Sequence, residues 1–459
     1  MHRIKYDVEY SRRQVLESVA RGAVGAGMLM PVWDAIGKYG SVEAAYPEEL
    51  LSIEKYTKGR LKPGSVIDAS NVDEFKELIT PIDYLEIKQE GRVVDIVEAP
   101  TDIKQLNPAD FLEATERNRG KAMLDQKGNV RVKGTENPWI GGIPFPQPQT
   151  AQEVICCHAL SWGRHDSLAY AILDDEVNAA GETAYAYQLY WAEVQATSRT
   201  VLDPKPYMDP TKTRFNTALY TSPTDVAGTS YLSAWDYDQT KFPDFHGFIP
   251  AFKRVRRFPT NQRFEPMGPG STAYLSDAWM VGDPYMTWGN FQIVKKQPML
   301  LGPVGNWAFN DPNWAVPRVG GQSGKKYMRY KFSLVPETYV VSLEPTGYPR
   351  SPYSKKWIYF DGRTLLPLCQ IMFDRRGEMW KQWENVYDMY YRDDGPKQTE
   401  VTGKPVWGWI ALHCHDIQTG ANGNWQAVKE IQGGFKTVYN DPNLYQNFCT
   451  MSAIQQLGA

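Results

Sequence analysis

Cysteine is scarce in this chain, five in 459 residues, too few for a disulfide scaffold. Histidine numbers only six. Past the amino terminus, no stretch reaches the ~18 uninterrupted apolar residues that a membrane-crossing helix needs. Neither sign of charge dominates: Lys plus Arg number 50 and Asp plus Glu 53, a net charge of −3. That balance excludes the strongly basic footprint of a nucleic-acid binder. Familiar catalytic motifs are missing as well. The sequence has no Gly-x-Ser-x-Gly elbow, no Gly-x-Gly-x-x-Gly, no His-Glu-x-x-His and no Cys-x-x-Cys. Gly321-Gln322-Ser323-Gly324-Lys325-Lys326 matches a phosphate loop only in part, because Val319 replaces the leading glycine and Lys326 the hydroxyl residue. Asp174-Asp175 and Asp393-Asp394 read as solvated turns, not as a catalytic dyad.

What the chain has in abundance is aromatic side chains, 13% of residues, with 15 Trp and 27 Tyr. Aromatics favour strands and lined cavities. The amino terminus reads separately. Arg12-Arg13 precede the aliphatic Val15-Leu16, a glycine-softened apolar stretch from 22 to 33, then Lys38 and the small-residue exit Val42-Glu43-Ala44. This order is that of an export signal, and the paired arginine is the mark of the twin-arginine route. Residues 1–45 are therefore expected to be a leader cut after Ala44, leaving an exported, periplasmic chain.

Beyond it, helix signals prevail over 46–180. Asn107-Pro108-Ala109-Asp110 combines cap, proline and acid, and Thr150 with Glu153 has capping-box spacing. Between them Trp139-Ile140-Gly141-Gly142-Ile143-Pro144-Phe145-Pro146 reads as an ordered loop. Strand signals take over across 181–440, with 441–459 left as a carboxy-terminal tail. The clearest region is an antiparallel meander in which 355–360 and 365–373 flank the hairpin dipeptide Asp361-Gly362, and Arg375-Arg376-Gly377 turns the chain again. Alternate residues on a strand face opposite sides, and here both sets are apolar. One face needs a helical cover and the other a second sheet or a cavity.

These residues carry a resemblance. Lys253-Arg254-Val255-Arg256-Arg257-Phe258-Pro259 is followed by Asp277-Ala278-Trp279, Trp288-Gly289-Asn290, Tyr353-Ser354-Lys355-Lys356 and Phe373-Asp374-Arg375-Arg376-Gly377-Glu378-Met379-Trp380. That ordered set, with Gly141-Gly142-Ile143-Pro144-Phe145-Pro146 ahead of it, resembles a domain-of-unknown-function family whose members are often named outer membrane lipoprotein-sorting proteins. The resemblance spans roughly 60 to 440. It implies a fold related to the LolA/LolB-type periplasmic lipoprotein carriers. That fold is α+β and mainly antiparallel β, a half-open curved sheet or barrel with covering helices around an apolar cavity. It also implies association with a resistance-nodulation-division-type transporter and outer-membrane components.

The expected function is a non-enzymatic carrier or chaperone for a lipid-like hydrophobic ligand, without a cofactor. Trp357, Tyr359, Leu366 and Leu368 are the candidate ligand-binding residues in the meander. Arg254, Arg256 and Arg257 are candidates for orienting a headgroup, since guanidinium forks suit phosphate and carboxylate. The first alternative is a metal-dependent or redox enzyme built on His413 and His415, two apart on one strand face and able to reach one ion. The second is a structural envelope protein that binds no ligand. His158 and His165 stand two helical turns apart, about 10.5 Å, too far for a shared ion. Cys156, Cys157, Cys369, Cys414 and Cys449 are odd in number, so at least one thiol stays free or pairs outside the chain. If Arg12-Arg13 address the twin-arginine route, replacing both with lysine will hold the precursor in the cytoplasm, read by fractionation. Undiminished periplasmic delivery would refute that reading.

Overall fold

The computed structural model describes residues 29–259, 263–303, 311–392, 395–396 and 400–458. Arg12 and Arg13 lie outside the described residues. Sixteen strands form one large sheet. In chain order these are β1 (Val66–Ile67), β2 (Val94–Ile96), β3 (Ser167–Val177), β4 (Thr183–Gln195), β5 (Lys212–Ser222), β6 (Ser230–Asp236), β7 (Asp244–Ile249) and β8 (Arg254–Arg257). They continue as β9 (Gly289–Leu301), β10 (Tyr330–Glu344), β11 (Tyr353–Asp361), β12 (Pro367–Asp374), β13 (Met379–Met389), β14 (Trp407–Asp416), β15 (Ala421–Val428) and β16 (Val438–Tyr439). The spatial order is β1-β2-β10-β11-β12-β13-β14-β15-β3-β4-β5-β6-β7-β8, with β9 also on β10 and β16 on β3. Every pairing is antiparallel except β2 with β10. The sheet is curved and does not close, so the expected α+β, mainly antiparallel fold is what the chain adopts.

Register explains why the meander strands are apolar on both sides. Tyr359, Cys369, Glu384, His413 and Asn424 form one cross-strand row. Trp357, Ile371, Gln382, His415 and Asn422 form the next row on the same face. Helix α2 (Pro81–Glu90) lies over this face, and its Asp83 and Glu86 bond Gln382 and His413. The helix starts where Thr80 caps Asp83 N–H with proline in its first turn, and it ends at Gly91, whose φ of 75° suits glycine. The opposite row runs Ile358, Gln370, Trp383, Cys414, Gly423 and Glu176. That face is crossed by residues 263–288 and by α3 (Ala151–Ala159), which the Thr150–Glu153 capping box opens as expected.

Several boundaries differ from the sequence reading. The division at 180 falls inside the β3–β4 hairpin, whose strands pair from Ser167 with Val194 to Val177 with Thr183. Within the expected carboxy-terminal tail, residues 441–458 pack on the sheet. Helices α4 (Leu444–Phe448) and α5 (Met451–Gly458), with Cys449 between them, bury Leu444, Cys449 and Ile454 against Tyr190, Leu219 and Leu232 of the sheet. At the other end, α1 (Val32–Tyr39) buries Trp33 completely, and Asp34 pairs with Arg119. The expected cut after Ala44 lies between Val42 and Ala45, both buried, and would remove α1 from the core. Asp361-Gly362 does turn the chain, but through the longer loop 362–366, in which the Asp361 carboxylate accepts from Arg363 and Leu365 takes the positive φ of 56°. All five cysteines are buried and unpaired.

Gly142 shows how closely the Gly-Gly loop is packed. Its φ is 77°, and a Cβ there would lie 2.3 Å from Thr115 N, while Ile143 N–H donates to Thr115 Oγ1 at 2.9 Å. Gly134 has the same φ of 77° but open space around it. Gly142→Ala should therefore cost at least about 2 kcal/mol more than Gly134→Ala, which carries only the backbone penalty. Urea unfolding of the two variants checks this, and equal losses would refute the packing account.

Candidate functional site: an apolar cavity beneath a pinned strap

The segment 263–288 contains Pro266, Gly268, Pro269 and Gly270 and forms neither long helix nor strand. It crosses the sheet as a strap, and charged side chains rising from the strands hold it. Lys356 Nζ donates to Ser276 O and lies 3.5 Å from Asp277 Oδ1. Lys381 Nζ donates to Thr272 O at 2.7 Å. Glu176 accepts from Ser271 Oγ at 2.8 Å and from Thr272 N at 3.0 Å. Tyr353 OH donates to Asp277 Oδ2 at 2.9 Å, and Gln370 Nε2 to Asp277 O at 3.1 Å. Within the strap, Asp283 gathers Arg263, Ser276 and Trp288. Burial lowers the readiness of Lys356 to stay charged, and Asp277 opposes that shift.

Between the strap and strands β4–β7 lies a cavity of about 200 Å³. Trp162, Trp191, Tyr220, Tyr231, Trp235, Phe245 and Phe258 form most of its wall, with Ala218, Ala278 and Gly282 leaving the space open. Its polar groups are few: Asn216, Ser233, Arg263 and Glu265. Asn216 Oδ1 accepts from Trp235 Nε1 at 2.6 Å, and Arg263 is held by Asp283. A smaller space of about 20 Å³ adjoins it through Trp191, Met267 and Ala278 and is walled by Trp279, Trp383, Trp409 and Trp425. Indole and phenol rings with so few hydrogen-bonding groups suit an apolar ligand body.

The residues expected to bind ligand are elsewhere. Trp357 is half-buried and meets Phe373 edge-on at 5.0 Å. Tyr359, Leu366 and Leu368 are buried in the continuous core. None of the four lines the cavity. Their apolar alternation arises because the meander is covered on both faces, by α2 and by the strap, and the open space falls over the other arm of the sheet. Arg254, Arg256 and Arg257 lie on β8, the last strand in the sheet order. Arg257 pairs with Asp244 at 2.9 Å and Arg256 stacks on Phe252 at 4.2 Å. They do not line the cavity either, although the next residue, Phe258, does. His158 and His165 each bond a backbone carbonyl, of Trp279 and Trp407. His413 and His415 do converge, on Glu86 of α2. No periodicity marks the strap in the sequence. Its only sequence signal was Asp277-Ala278-Trp279, and Asp277 proves to be a pin.

The family model described as Protein of unknown function (DUF1329) matches residues 66–455. An uncharacterized protein of Pseudomonas aeruginosa, PA3922, is 27% identical over 349 residues, covering 73% of this chain and 71% of its own. Among solved structures, a DUF1329 family protein from Desulfovibrio piger aligns with a TM-score of 0.41 at 13% identity, covering 66% of this chain and 95% of that one. A putative outer membrane lipoprotein-sorting protein domain from Vibrio parahaemolyticus aligns at 0.37 and 17%, with coverage of 67% and 97%.

Glu193, on β4 beside cavity residue Trp191, makes the site sensitive to pH. Burial pushes its carboxyl up to about 7, against the pull of Arg214. A raised carboxyl favours the fold while it is protonated, so that contribution is full below the unfolded value near 4.5 and lost as pH rises through about 7. Glu193→Gln should remove this dependence. Between pH 4 and pH 8 the variant should gain up to about 3 kcal/mol relative to the parent. Parallel urea titrations at the two pH values that show a constant difference would refute the assignment.

Proposed function

The chain belongs to the DUF1329 family, and on that premise we propose that it is a non-enzymatic carrier of a lipid or another hydrophobic molecule in the cell envelope. The observation that supports this is the aromatic cavity between β4–β7 and the strap. An apolar cavity of about 150 Å³ is enough to take benzene, so about 200 Å³ accommodates a ring or a short alkyl segment. Binding would come from burial, at roughly 25 cal/mol per Å² of apolar surface removed from water. The few polar groups at Asn216, Ser233, Arg263 and Glu265 would orient whatever polar end the ligand carries. On this reading the chain is exported through Arg12-Arg13 and works in the periplasm. It would exchange cargo with a resistance-nodulation-division-type transporter and outer-membrane components.

Filling the cavity separates this function from the core. Ala218→Phe and Ala278→Phe should each reduce uptake of a fluorescent fatty acid at least tenfold while the protein stays folded. Trp357→Gln should leave uptake within about twofold of the parent. Organic extraction of the purified parent should release a co-purifying hydrophobic molecule that the Ala218→Phe protein lacks. A parent that takes up no probe and yields no extract would end the carrier reading.

A further inference from the structure

On the face of the sheet away from the strap, a buried cluster carries charges that do not balance. Helix α2 brings Asp83, Glu86 and Glu90 over β13 and β14, which present Glu384, His413 and His415. Two cations face the four carboxylates. Arg92 reaches Asp83 at 2.7 Å and also Glu86 and Glu384, and Lys326 reaches Glu90. Tyr327 OH also donates to Glu90. Counted formally over the described residues, with every carboxylate ionised and both imidazoles neutral, the cluster holds two negative charges in excess; burial pushes the Asp83 and Glu384 carboxyls toward their protonated forms, and buried charge persists only when it is paired.

The hydrogen bonds locate the missing positive charge. Asn424 Nδ2 donates to Lys326 O at 3.2 Å, which turns Asn424 Oδ1 toward His413 Nδ1 at 3.3 Å. With its proton on Nδ1, facing Asn424, His413 presents the Nε2 lone pair 2.9 Å from Glu86 Oε1, itself an acceptor. Two lone pairs do not face each other at that separation without a positive centre between them. His415 repeats the problem. It is 0% exposed, and neither ring nitrogen makes an aligned hydrogen bond. Its Nδ1 lies 2.7 Å from the same Glu86 oxygen, and its Nε2 3.8 Å from Glu90 Oε1.

We propose that Glu86, His413 and His415 bind a divalent first-row transition-metal ion, zinc in the simplest case. The three ligand atoms lie within 4.8 Å of one another. The separations of 2.7 and 2.9 Å about Glu86 Oε1 are close to the roughly 2.8–3.1 Å between neighbouring ligands of a six-coordinate ion bound at about 2.0–2.2 Å, and a tetrahedral ion needs them to open to roughly 3.3–3.6 Å. Two imidazoles and carboxylate oxygens suit zinc, iron or nickel. The Asn424 bond to His413 Nδ1 supplies the outer contact that fixes a metal-binding tautomer. The ion would join α2 to β14 across the sheet face, a structural centre separate from the cavity.

The full-length protein, expressed in zinc- or cobalt-supplemented medium and gel-filtered with chelator, should retain about one equivalent of metal by mass spectrometry. Cobalt-loaded protein should show the visible ligand-field absorption of imidazole-bound Co²⁺, stronger than and shifted from that of the aquo ion. Metal content should fall at least tenfold in Glu86→Gln and His415→Gln and stay unchanged in His246→Ala, which alters a histidine outside the cluster. Should the cluster variants fail to fold, the cobalt spectrum of the parent decides. No retained ion, an aquo-type spectrum, or full retention in folded His415→Gln would overturn the proposal.

Discussion

A lysine cannot be buried without an acceptor, and the strap face of the sheet carries two, Lys356 and Lys381, beside the carboxylate of Glu176. Their acceptors and donors all come from one segment, through Ser271, Thr272, Ser276 and Asp277. Removing the strap would leave these groups unpaired in an apolar surround, at a cost of several kcal/mol each. The strap is therefore fixed over β11–β13 and β3, and the larger cavity lies beyond those pins, over β4–β7. The site's position follows from where the strap's pins end.

The two faces solve different problems with the same means. One secures an irregular segment by backbone carbonyls and hydroxyls. The other secures a helix by carboxylates, an arginine and two histidines. In both, the polar residues stand in cross-strand rows among aromatic and aliphatic neighbours, so their alternation is not that of a sheet with one wet face. A half-open sheet has less interior than a closed barrel, and each face must be filled by chain that is itself not sheet.

Much of this was legible in the sequence. The capping box at Thr150, the turn at Gly377 and the meander strands 353–389 follow from local rules, and the mainly antiparallel curved fold follows from the ordered motifs. The cavity's location was not legible, because Trp357 and Leu368 alternate as Trp191 and Tyr220 do, and alternation alone cannot tell a packed face from an open one. The 263–288 strap has no period, and its meaning lies in contacts with residues about 100 positions away. The pairing of His413 and His415 on one face was visible at spacing two, whereas Glu86, 327 residues distant, was not. Residues 32–45 read as the end of a leader because Val32 and Trp33 are apolar, and a short buried helix presents the same letters.

An unclosed sheet also has ends. The strand order finishes at β8, and a terminal strand offers unpaired backbone groups to any other strand that meets it. Arg254, Arg256 and Arg257 are exposed there, on a strand of four residues. A short strand carrying three like charges repels its own copy, so this end resists strand-by-strand polymerisation. The arginines expected to orient a headgroup thus also put charge on the open end of the sheet. Neutralising them would put the protein's solubility at risk before its affinity for any cargo.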